Sequence, residues 1–87
     1  MAGAVLTFAP RWKEELVCTM DGRQFVIEFS MGSPHVYLPG KEVWEQMAPD
    51  WAKSQWDRVH RDLAIWCRGQ GAPLSIEDRA WVSFLGN

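Results

Sequence analysis

The sequence predicts a two-layer α+β domain. An antiparallel sheet of three to five strands, centred on a hairpin over residues 14–31, packs against a long helix over about 49–69 and a short one over 41–47. Three observations carry that prediction. An Asp21-Gly22 pair sits between two alternating apolar segments. From residue 41 the apolar spacing changes from strand-like to helical. A chain of 87 residues has room for one domain with a thin core, over residues 1–87.

The strands come first. Val5-Leu6-Thr7-Phe8 alternates and stops at Pro10, as a short edge strand does. In the hairpin, a type I′ turn at Asp21-Gly22 sets Met20 opposite Arg23, Cys18 opposite Phe25 and Leu16 opposite Ile27. One face then carries Leu16, Cys18, Phe25, Ile27, Phe29 and Met31, and the other carries Val17, Thr19, Gln24, Val26 and Glu28. Gly32-Ser33-Pro34 interrupts, His35-Val36-Tyr37-Leu38 forms a third strand, and Pro39-Gly40 supplies the centre of a type II turn.

Helical spacing follows. Val43, Trp44 and Met47 are the apolar positions of the short helix. Pro49 opens the long one, and Gly69-Gln70-Gly71 ends it. Along it Ala52, Trp56, Val59, Leu63, Trp66 and Cys67 make one apolar stripe to lie on the sheet. Ser75-Ile76-Glu77-Asp78 reads as one helical turn, and Ala80 to Leu85 as a strand that rejoins the sheet.

Chemistry is harder to find. Nine Lys and Arg against eleven Asp and Glu, a net charge of −2, argue against a nucleic-acid binder. Nothing approaches the apolar length of a membrane span, and residues 1–6 lack the basic flank of a secretory leader. Two cysteines, Cys18 and Cys67, form no disulfide framework and point to a reducing, cytoplasmic setting. His60-Arg61-Asp62-Leu63 spells the kinase catalytic-loop tetrapeptide, but Cys67 stands where that loop needs Asn. No metal-ligand spacing, nucleophile elbow or phosphate-cradling glycine loop is present, so neither an enzyme nor a cofactor is expected.

The expectation that remains is a small protein-binding protein. An inhibitor, an immunity- or antitoxin-like neutraliser and an adaptor subunit all fit. Two surfaces are candidates. On one continuous helix, Trp51, Arg58, Asp62 and Ile65 fall opposite the core stripe, as an exposed strip of interface composition. Pairs four apart, Asp57 with Arg61 and Arg58 with Asp62, would solvate that side. On the hairpin, Glu15 lies opposite Glu28, and with Glu14 they make an acidic patch suited to a basic partner surface. Such a pair requires either strands that have parted or a cation beside it. A homodimer would satisfy an apolar patch or an unpaired strand edge equally well. The competing readings are a small-molecule cleft walled by Tyr37, Trp44 and Trp81, and a structural subunit that self-associates.

Overall fold

The computed structural model describes residues 6–11 and 14–85. Val5 and Trp12 lie outside the described residues. In chain order the elements are β1 (Thr7–Arg11), β2 (Glu15–Met20), β3 (Arg23–Ser30), β4 (His35–Leu38), α1 (Lys41–Met47), α2 (Asp50–Lys53), α3 (Trp56–Gln70), β5 (Leu74–Ile76) and β6 (Val82–Leu85). Together they form an α+β fold, an open sheet with helices on one face.

The β2–β3 turn sets the register of everything else. Asp21 and Gly22 have φ of 54° and 80°, the two positive values a type I′ turn needs. Met20 pairs with Arg23, and the ladder runs through Cys18 and Phe25 to Glu15 and Glu28. Outside this hairpin β1 lies antiparallel to β2 and continues through Pro10 to Arg11. Proline is tolerated there because the strand is an edge.

On its other side β3 is shared. Gln24 to Ile27 pair with β6 and Glu28 to Ser30 pair with β4, both antiparallel. β5 then lies parallel to β4. The sheet is therefore mixed rather than wholly antiparallel, with six strands. A parallel neighbour needs a long crossover, which α1, α2 and α3 supply. The segment from Ser75 to Asp78 is not a helical turn, because β4 captures it. Val36 donates its N–H to the Pro73 carbonyl at 2.9 Å, and Glu77 donates to the Leu38 carbonyl at 2.9 Å. The last strand rejoins the sheet as β6.

The helices cover one face. Leu16, Cys18, Met20, Phe25, Ile27, Phe29, Val36 and Leu38 meet Trp44, Ala52, Val59, Leu63 and Cys67 in a single core. Among the described residues no polar or charged residue is buried. Trp44 is its centre. The ring stands edge-on to Phe25 and Phe84, at 5.3 and 5.0 Å, and its Nε1–H donates to the Ala52 carbonyl at 2.8 Å. At its far end α3 closes on Gly71 (φ 70°), where Ala72 N–H reaches the Cys67 carbonyl at 2.9 Å.

Two local expectations give way. The helix over 49–69 is divided at Ser54-Gln55 into α2 and α3. In a continuous helix the Ala52 carbonyl would accept from Trp56 N–H; here it accepts from Gln55 N–H and from the Trp44 indole. Trp56 can then donate its own Nε1–H to the Pro39 carbonyl at 2.9 Å. Gly40 is also not a positive-φ turn residue. It is extended (φ −64°, ψ 163°) at the start of α1. Its small size matters instead, since a Cβ would lie 2.5 Å from Asp78 Oδ1, the atom that accepts the Gly40 N–H.

Candidate partner-binding surface

Alternation along each strand sends every second side chain away from the helices. Cross-strand register then sorts those side chains into rows. At one level stand Thr7, Thr19, Gln24 and Leu85, all polar but the last. The next row is Ala9, Val17, Val26 and Ser83. Val26 in this row is buried, at 2% exposure, although among the described residues it lies outside the core cluster under the helices. The third row crosses five strands: Arg11, Glu15, Glu28, Tyr37 and Ser75.

This third row resolves the Glu15–Glu28 question. The strands have not parted: Glu15 and Glu28 remain paired, and Phe29 N–H donates to the Glu14 carbonyl at 3.1 Å beyond them. Arg11, on the neighbouring strand, neutralises Glu15 through an Nε to Oε1 contact of 2.6 Å. Glu28 is half-buried between Glu15 and Tyr37, and among the described residues no cation comes within ion-pair distance of it. Beside it the Tyr37 ring stacks on His35, with centroids 4.4 Å apart and planes 7° from parallel. His35 Nε2 lies 2.6 Å from Ser75 Oγ, so the aromatic pair is anchored to β5.

Of the strip expected on the helices, Arg58, Asp62 and Ile65 keep one side of α3, and Trp51 leaves it. The break before α3 removes the angular relation that placed Trp51 outward. Trp51 packs half-buried against the core, edge-on to Phe84 at 5.8 Å, with the Arg23 guanidinium 5.4 Å from its ring centroid. Its Nε1–H is buried and has no hydrogen-bond partner among the described residues. Arg58 forks onto both Asp21 carboxylate oxygens, at 3.1 and 3.4 Å, and so ties α3 to the hairpin turn. Asp62 accepts from its neighbour Arg61 at 3.3 Å, and only Ile65 of the four stands well out, at 58% exposure. Asp57 pairs with Lys41 across the helices at 2.9 Å rather than with Arg61. That hydrogen bond and its charge raise the Lys41 pKa. Glu15 and Glu28 lie on the opposite side of the sheet from these four residues.

Tyr37, Trp44 and Trp81 do not face one cleft. Trp44 is wholly buried under the helices, Tyr37 belongs to the uncovered face, and Trp81 is 40% exposed beside β6. Cys18 and Cys67 are free thiols in the core, both pushed to higher pKa by burial, Cys67 to about 11. They suit packing rather than nucleophilic chemistry. Among the described residues no cluster of three or more His, Cys, Asp or Glu could hold a metal ion, and no helix is long and apolar enough to cross a membrane.

The hairpin turn made Glu15 and Glu28 legible as a pair. Arg11, Tyr37 and Ser75 were missed as its neighbours because they reach the row through pairings with no local sequence signal. No protein-family model matches the chain, and neither a curated protein nor a solved structure matches it.

Proposed function

We propose that this chain is a small, non-enzymatic protein-binding protein that acts by laying the uncovered face of its sheet on a basic surface of a partner. An inhibitor, an immunity- or antitoxin-like neutraliser and an adaptor subunit all act in this way. The observation that carries the reading is the charged row. Glu28 sits mid-sheet with an acid on one side and an aromatic ring on the other, and among the described residues it lacks the cation that Glu15 has in Arg11. A partner's Lys or Arg supplies that cation, and the half-buried Val17 supplies apolar area beside it.

The two unpaired, buried thiols support a reducing setting such as the cytoplasm.

A photo-crosslinking residue tests the reading when placed at Thr19 on the uncovered face and, separately, at Ile65 on the helices. In the native cell the Thr19 position should give a discrete protein adduct that Glu28→Lys abolishes, and the Ile65 position should give none. Equal labelling from both faces, or an adduct indifferent to Glu28→Lys, would overturn it.

A further inference from the structure

The outer edge of β6 offers a second surface, at the other end of β3 from the charged row. The hydrogen-bond phase of the sheet shows which backbone groups it presents. Phe29 N–H points towards β2, where it meets the Glu14 carbonyl. By alternation Phe25 and Ile27 also bond to β2, and Gln24 and Val26 bond to β6 through Leu85 and Ser83. The N–H and C=O groups of Val82 and Phe84 therefore point away from β3. Among the described residues β6 has no other strand partner.

The two long edges of the sheet differ in how they meet this problem. On β1 the outward positions are Phe8 and Pro10, and the proline removes a donor and so blunts the edge. From Ala80 to Leu85 there is no proline and no charge. This segment instead holds two of the exposed large apolar side chains, Trp81 at 40% and Leu85 at 39%.

We propose that β6 pairs antiparallel with β6 of a second copy, about a two-fold axis through Ser83, to give a dimer with one continuous sheet. In this register the outward groups of Val82 meet those of Phe84 in the second copy, and the reverse, so all of them are satisfied. The same pairing brings two exposed apolar side chains of each copy to the interface, Leu85 at the end of β6 and Trp81 just before its start. They meet there without any charge facing a like charge. The edge lies at the other end of β3 from the charged row, so this interface stands or falls independently of the partner surface proposed above.

Sedimentation equilibrium of the intact chain, from micromolar to submillimolar concentration, should give a monomer–dimer equilibrium. A monomer throughout that range overturns the proposal. Ser83→Cys tests the axis, because a central pair that is not hydrogen-bonded brings its Cα atoms to about 4.5 Å, within disulfide reach. On oxidation with diamide it should give a covalent dimer, and Ser33→Cys, in the exposed turn before β4, should not. Cross-linking of both at equal rates would also overturn the proposal. The double variant W81K/L85K, checked for native folding by circular dichroism, gathers like charges at the interface and should weaken the dimer at least about tenfold. W81E/L85K brings opposite charges there and should restore it. If those two variants dimerise alike, the proposed interface is wrong.

Discussion

The helix-covered face and the uncovered face are written in the same strands, one residue out of step, and they obey different rules. On the covered side Leu16, Cys18, Phe25, Ile27 and Phe29 interlock with three helices, and among the described residues no polar or charged residue is buried with them. On the other side the same strands carry Glu15, Val17, Thr19, Gln24 and Glu28, of which none is buried, and only Val26 is enclosed. Stability is thus concentrated on one side of a single layer. The second side is left open to charge patterns that a fold does not need, and this is where function has room.

The sharpest way to break that contrast is to substitute on the covered face. Trp44→Ala should cost about 3–5 kcal/mol, a large share of the roughly 5–15 kcal/mol that holds a small domain together. The ring contacts to Phe25 and Phe84 and the Nε1 bond to Ala52 go together. Urea denaturation measures it, and a loss under about 1 kcal/mol would mean the core is not centred there. Trp51 ranks next. Trp51→Ala should cost about 2–3 kcal/mol, because the ring packs on Phe84 under Arg23. Trp51→Phe should cost under about 1 kcal/mol, since it keeps a ring and removes a buried indole N–H that has no acceptor among the described residues. If the two substitutions cost the same, the orphaned N–H has no energetic weight.

The covered face also titrates. Burial holds both thiols protonated in the fold, with Cys67 raised to about 11 and Cys18 also raised, the latter further by the neighbouring Cys67. The unfolded chain, with ordinary thiols near 8.5, releases these protons earlier. It therefore binds fewer protons than the native state above that pH, and stability falls as pH rises. The contribution is level below about pH 8.5 and declines towards about pH 11, by at most about 1.4 kcal/mol per pH unit for each thiol. Replacing both cysteines by Ala should flatten this part of the alkaline stability profile. An unchanged slope would assign it to other groups.

How far the chain could be read beforehand follows the same division. The hairpin was legible to the residue, because two positive-φ positions at Asp21-Gly22 admit one register and the apolar alternation agrees with it. From that register came the covered face and the Glu15–Glu28 pair. Trp51 was misplaced because a helical wheel assumes an unbroken helix, and the break at Ser54-Gln55 depends on competition for the Ala52 carbonyl that only the folded core creates. The Tyr37–Ser75 end of the charged row was illegible for another reason. β4 and β5 meet across the whole segment from Pro39 to Pro73, and parallel pairing at that range leaves no turn residue to announce it. Local chemistry was readable, and long-range pairing was not.

The uncovered face should answer substitution weakly, and Glu28 is the test with a defined sign. In the isolated chain its carboxylate faces that of Glu15 across the ladder, and Arg11 is engaged with Glu15. Glu28→Gln removes the repulsion without changing the shape of the side chain, and should stabilise the fold by about 0.2–1 kcal/mol. Glu28→Lys should do at least as well, because it places a cation opposite Glu15. Raising the salt concentration should shrink both gains, since half-exposed charges are screened. Urea midpoints at low and high salt read all of these effects. A destabilisation of more than about 1 kcal/mol by Glu28→Gln would mean that the carboxylate already has a structural task within the chain. The uncovered face would then be a second stabilising surface rather than one held open for a partner.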